Sequence, residues 1–275
     1  MSFTTIMVYA DIDETPEQRV RLAATLAKKF TAKLIGFSAC AVAPPIGAES
    51  PVILEVLAAD TQEIKAKLSK KEDWFRGIIN AKGCDHNKFS WRFVVDYPTE
   101  SLARESRCAD LIVVGRTKRP NGVYSTLDLG GIVLKAGRPV VVVPDGIGSI
   151  NAKHVVVGWK DTREARRALL DSLPFLHEAE RISIVEICNA SEKDAQERVN
   201  DVVIYLGRHS IKAEAKIIQH DKASDAARLT RFAQDQGADL LVVGAYGHSR
   251  LGEWIFGGMT RELLAGSPIC CFMSH

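Results

Sequence analysis

One seven-residue string occurs twice in this chain almost unchanged. Ala109-Asp110-Leu111-Ile112-Val113-Val114-Gly115 returns as Ala238-Asp239-Leu240-Leu241-Val242-Val243-Gly244. The same offset carries Ala136-Gly137 onto Ala265-Gly266 and Pro139 onto Pro268 with no gap between. Chance rarely holds one register that long, so the chain reads as two copies of one domain. Its 275 residues suit two domains of ordinary size.

Each copy opens on an apolar run that feeds a helix, Ile6 to Asp11 in the first and Val155 to Lys160 in the second. Thr15-Pro16-Glu17-Gln18 offers a capping box with proline at the first helical position, and Val20, Ala23, Ala24 and Ala27 form an apolar face. In the second copy Asp161 is expected to cap, with Glu164 three residues on, before Ala165, Ala168, Leu169 and Ser172, and Pro174 ends or kinks the helix. Further strands are expected near 33–37, 91–95, 182–187 and 213–218, and last strands at 140–143 and 268–273. A long helix is expected over 52–81, with a shorter counterpart over 193–209. Strands alternating with helices predict an α/β fold, a parallel sheet with helices on both faces in each copy. The linker Pro144 to Ala152 sets domains of 1–146 and 151–275.

Composition narrows the partners. Thirty-six basic and 34 acidic residues leave a formal charge of +2, which draws neither nucleic acid nor anionic lipid broadly, so any anion site is local. No apolar run spans a bilayer and the N-terminus lacks the marks of a signal peptide, so a cytoplasmic protein is expected. Cys40, Cys84, Cys108, Cys188, Cys270 and Cys271 show no zinc spacing, and most sit in apolar runs as buried free thiols. No metal site is expected.

Chemistry concentrates between Ala238 and Thr260. After the apolar run that ends at Val243, Gly244, Gly247, Gly257 and Gly258 remove the Cβ atoms that keep a ligand off the backbone, and Met259 to Leu264 reads as a helix. A strand, a glycine loop and a helix N-terminus together suit a phosphate. The spacing Gly244-x2-Gly247-x9-Gly257 resembles the nucleotide-binding signature of the universal stress protein family. The family places Ser or Thr after the last glycine; Gly258 stands there, and Thr260 offers a hydroxyl instead.

The resemblance covers nearly the whole chain and implies a tandem universal stress protein. Each copy would then be a doubly wound five-stranded sheet of order 3-2-1-4-5, the adenine nucleotide alpha hydrolase-like arrangement, with ligands beyond strands 1 and 4. Members pair through the last strand, so the two copies imply an intramolecular pseudo-dimer, with a homodimer of whole chains as a further option. By the same resemblance, adenine lies near Ile187 and Val243, and ribose approaches Gly158 and Gly244. The phosphates face Gly247, Gly257, Gly258, Met259 and Thr260. His248 and Arg250 read as solvent-facing loop residues and Trp254 as an anchor for the loop.

The copies differ where that chemistry would occur. The first has Lys118, Asp128 and Leu129 where the second has Gly247, Gly257 and Gly258; Asp128 repels phosphate and Leu129 fills space, so this copy is expected to be a structural partner. Arg116, Lys118 and Arg119 read as a solvated basic loop. Family members that bind ATP carry an aspartate at the end of strand 1. The first copy keeps it as Asp11, and the second has Lys160. A lysine neutralises phosphate directly and repels a divalent cation, so ATP or AMP is expected in the second copy with a reduced need for magnesium. The resemblance further implies a role in stress response, acting through conformation or through protein partners that the sequence does not identify.

Two other readings stay open. An enzyme, at most a slow ATPase or a phosphoryl or adenylyl transferase, lacks support, since GxxxxGK[ST], SGGxDS and HxGH are absent and no general base accompanies the loop. His220-Asp221 reads as a turn. A nucleotide-free interaction module is the other reading, favoured by Lys160 and Gly258.

Overall fold

The computed structural model describes residues 2–13, 16–43, 52–81, 88–116, 122–188, 191–247 and 258–275. Two compact units meet in sequence at Ala136 and Gly137, ten residues before the boundary expected at 146. The difference lies in one strand, β5 (Val140–Val143), which is counted with the second unit because its partner there is the chain's last strand.

The Phe3–Ala136 unit runs β1 (Thr5–Tyr9), α1 (Glu17–Lys29), β2 (Lys33–Ala39), α2 (Val52–Ala81), β3 (Phe89–Val94), α3 (Pro98–Glu105), β4 (Leu111–Gly115) and α4 (Leu129–Lys135). Its strands are parallel in the order β3-β2-β1-β4. The second unit holds β5, β6 (His154–Trp159), α5 (Arg163–Asp171), α6 (Leu173–Glu178), β7 (Arg181–Cys188), α7 (Glu192–Arg208), β8 (Glu214–Gln219), α8 (Asp225–Asp235), β9 (Leu240–Gly244), α9 (Gly258–Gly266) and β10 (Cys270–Ser274). Its own strands follow β8-β7-β6-β9-β10, the order 3-2-1-4-5, and β5 adds antiparallel to β10 with Phe272 opposite Val141.

The repeated string explains itself in this frame. β9 lies between β6 and β10 in its sheet and β4 beside β1, and every leucine, isoleucine and valine of the two strands is buried. The aspartate ahead of each strand does one job twice. Asp110 Oδ2 accepts from the Thr4 and Thr5 backbone N–H groups at 2.8 and 2.9 Å, and Asp239 Oδ2 accepts from the Asn151 N–H at 3.0 Å. Each carboxylate thus anchors the start of its unit's first strand. The edge strands β3 and β8 are half-exposed, as a strand with one free side must be.

Close packing also fixes one glycine early in the chain. A Cβ on Gly36 of β2 would stand 2.5 Å from the Trp91 ring and 2.9 Å from that of Phe75, so the long helix α2 lies against the sheet only because residue 36 has no side chain. Two helix starts differ from expectation. α1 opens at Glu17 with Pro16 as its N-cap, and Thr15 lies outside the described residues. α5 is capped by Thr162, whose Oγ1 accepts from Ala165 N at 3.3 Å, while Asp161, one residue too early to reach that amide, pairs with Arg166. Pro174 sits in the first turn of α6, where its missing N–H costs nothing.

Among the described cysteines Cys40, Cys188, Cys270 and Cys271 are buried free thiols and Cys108 is half-buried. Burial, with Cys271 and Asp239 nearby, pushes the Cys270 thiol up to about 12. At pH 8 its thiolate fraction is therefore on the order of one in ten thousand. Cys108 is half-buried and reached by solvent, with the Arg92 guanidinium donating to its sulfur at 3.3 Å. Iodoacetamide on the native protein is expected to label Cys108 well before Cys270, with peptide mass mapping as the readout; equal labelling would show that β10 opens readily.

Candidate functional site

The C-terminal ends of β6, β7 and β9 and the first turns of α5, α8 and α9 surround a cleft of about 490 Å³ within the Gly137–His275 unit. Gly158, Lys160, Ile187, Val243, Gly244, Gly247, Gly258, Met259 and Thr260, all singled out in the sequence, line this one cleft. Gly257, with His248, Arg250 and Trp254, lies outside the described residues.

Three glycines open the cleft for distinct reasons. A Cβ on Gly244 would collide with the backbone of Glu164 and Ala165, so the first turn of α5 rests directly on the end of β9. At Gly247 a Cβ would stand 2.9 Å from Glu164 Oε2 and 3.1 Å from Thr162 Oγ1. At Gly258 the nearest heavy atom among the described residues would be Glu262 Oε1 at 4.0 Å. Gly258, Met259 and Thr260 of the first turn of α9 line the cleft, at the positive end of the helix dipole.

A threonine hydroxyl holds the chain just after β9. Tyr246 takes a left-handed backbone, φ +61°, and its N–H donates to Thr260 Oγ1 at 3.2 Å. The Thr260 oxygen is thus engaged by the protein's own backbone. Beneath Gly247, Glu164 is a buried carboxylate. Burial raises its pKa, but hydrogen bonds from Arg163, its own backbone and Thr162 outweigh that and hold it below the usual carboxylate range.

Several cleft residues escaped the sequence reading, among them Trp159, Leu229, Asp225 and Glu262. Trp159 is 8% exposed, and its indole N–H finds no acceptor among the described residues. A buried N–H left so costs about 1–3 kcal/mol. Leu229 packs 2.5 Å from where a Cβ on Gly158 would stand. Asp225 and Glu262 place two carboxylates on the rim beside His220. Glu262 was legible in principle, since a residue four places after Gly258 stands over the first turn of the same helix. The remainder of the His220-Asp221 pair is a turn, in which Asp221 Oδ1 accepts from Ala223 N at 2.6 Å and from Arg228 Nε at 2.8 Å.

The first copy closes the corresponding place with its own side chains. Asp11 at the end of β1 is buried and bound at 2.8 Å by Arg19 Nη1, which also donates to Tyr9 O; Arg19 Nη2 donates to Arg116 O. The guanidinium lies where a Cβ on Gly115 would be, at the end of β4. Asp128 caps α4 by accepting from Gly130 N at 3.0 Å, so a carboxylate already occupies that helix N-terminus. Lys118 and Arg119 lie outside the described residues.

A doubly wound parallel sheet with a glycine-lined cleft at its strand 1 and strand 4 ends is the architecture of an α/β domain whose ligand crevice lies at the switch point of strand order. Residues 183–273 match the universal stress protein family. The match lies within the Gly137–His275 unit and covers about a third of the chain. A universal stress protein from Archaeoglobus fulgidus superposes with a TM-score of 0.74 at 12% identity, covering 98% of this chain and 97% of that one. A candidate universal stress protein from Pseudomonas aeruginosa gives 0.60 at 12% identity, covering 99% and 93%. At such identity the likeness speaks for the fold, and it extends over both units. No curated protein matches by sequence. No helix of the described residues is long and apolar enough to cross a membrane.

Proposed function

We propose that the Gly137–His275 unit binds an adenine nucleotide, ATP or AMP, and that the protein acts in stress response through the conformation or partners this binding selects. The observation that carries the reading is the convergence of Gly244, Gly247 and the N-terminus of α9 on one cleft, where added Cβ atoms would displace backbone or fill the space. Ile187 and Val243 supply an apolar wall for the base, Gly158 and Gly244 the approach for ribose. Gly247, Gly258, Met259 and Thr260 supply amides and a hydroxyl for phosphate, and Lys160 a cation. Arg19 and Asp128 argue for the Phe3–Ala136 unit as a structural partner without a nucleotide.

Isothermal titration of the full chain with AMP and ATP, with and without magnesium, tests this. Wild type is expected to bind, and Lys160→Ala to bind roughly tenfold more weakly, since a unit charge pair near a protein surface is worth a few kcal/mol before desolvation. Unchanged affinity in the variant would remove Lys160 from the account. No heat with either nucleotide would leave a nucleotide-free interaction module.

A further inference from the structure

The charges around the cleft are unbalanced in a way that bears on which nucleotide fits. Its described ionisable side chains are Lys160, Glu186, His220, Asp225 and Glu262. Glu186 is neutralised by an ion pair with Arg198. Asp225 is less well served, because His220 Nε2 and Arg228 Nη1 stand at 3.6 Å and Arg228 gives its Nε to Asp221 at 2.8 Å. Glu262 takes its hydrogen bond from a neutral hydroxyl, Ser224 Oγ, which holds it across from α8. Its other oxygen lies 4.0 Å from the position of a Cβ on Gly258, beside the amides that would receive a phosphate.

We infer that Glu262 and Asp225 limit the charge this cleft accepts, so that it takes adenosine monophosphate in preference to the triphosphate. The inference rests on the reading of the cleft as an adenine-nucleotide site. The α9 N-terminus carries about half a positive charge, and with Lys160 it matches a single phosphate. Each further phosphate adds negative charge against two carboxylates in a recess where water screens poorly.

The test is equilibrium titration of the full chain with AMP and ATP in metal-free buffer, repeated with magnesium chloride, for wild type and Glu262→Gln. Glutamine keeps an acceptor for Ser224, and an unchanged thermal midpoint shows that the variant is folded. Wild type is expected to bind AMP at least about threefold more tightly than ATP, and Glu262→Gln to strengthen ATP roughly tenfold but AMP only about twofold. Raising the salt should narrow the wild-type gap, because screening acts on charge and not on packing. Tighter binding of ATP than AMP by wild type, with or without magnesium, or an unchanged AMP-to-ATP ratio in Glu262→Gln, overturns this inference and leaves the nucleotide reading standing. Failure of both nucleotides to bind wild type overturns the two together.

Discussion

Arg19→Ala is expected to lower the unfolding free energy of the Phe3–Ala136 unit by about 3–5 kcal/mol, the usual cost of removing one partner from a buried ion pair. The Arg19 and Asp11 side chains are 3% and 5% exposed, so the truncation takes the Arg19 counter-charge from a carboxylate held away from water. It also strands the carbonyls of Tyr9 and Arg116, which the guanidinium serves, and it opens a hollow at the end of β4. Urea denaturation, followed by a probe in this unit such as Trp74 fluorescence, reads the loss. The double variant Arg19→Met/Asp11→Leu separates charge from packing. If the unpaired carboxylate is the main penalty, the double variant recovers most of the stability, since well-packed apolar replacements for a buried pair are often neutral or better. A loss below about 1 kcal/mol for Arg19→Ala would mean that Asp11 reaches water or takes up a proton.

The same pair shows where reading the chain by pattern stops. Periodicity and the repeated string carry the architecture, because β4 and β9 are continuous apolar runs whose leucines, isoleucines and valines are all buried, as a parallel sheet requires. Gly244 of the second copy is legible too, since a Cβ there would meet the backbone of Glu164 and Ala165. Arg19 is not legible in that way. It stands in α1 beside Val20, Ala23 and Ala24, and an arginine in a helix reads as solvated until the sheet brings Asp11 within 2.8 Å. Asp11 was noticed for its likeness to a ligand-binding aspartate, and the structure gives it to Arg19. The shift of the α5 cap from Asp161 to Thr162 is of a smaller kind. Both residue types cap well, and only the position of the Ala165 amide decides between neighbours. Trp159 and Glu262 reach the cleft from β6 and α9, a juxtaposition made by tertiary structure.

Gly244→Ala is expected to do more damage than any other single methyl added to the second unit's cleft. The new Cβ would meet backbone atoms, Ala165 N and Glu164 C, with Ala165 Cα at 2.9 Å, and backbone cannot swing aside as a side-chain tip can. The first turn of α5 must move off β9 instead, at about 1–3 kcal/mol for an overpacked site. That turn carries Thr162 and Glu164, the residues beneath Gly247, so the loop above them shifts as well. A loss of nucleotide affinity of about tenfold follows, equivalent to about 1.4 kcal/mol. Gly158→Ala should be milder in both respects, because the group it meets first is a Leu229 methyl at 2.5 Å on a side chain that can rotate. Gly266→Ala, with nothing within 4 Å, should leave affinity untouched. Thermal unfolding and nucleotide titration across the three variants give the ranking. If Gly244→Ala proves as harmless as Gly266→Ala, then α5 does not rest on β9 as described, and the cleft loses the floor on which its glycine loop is built.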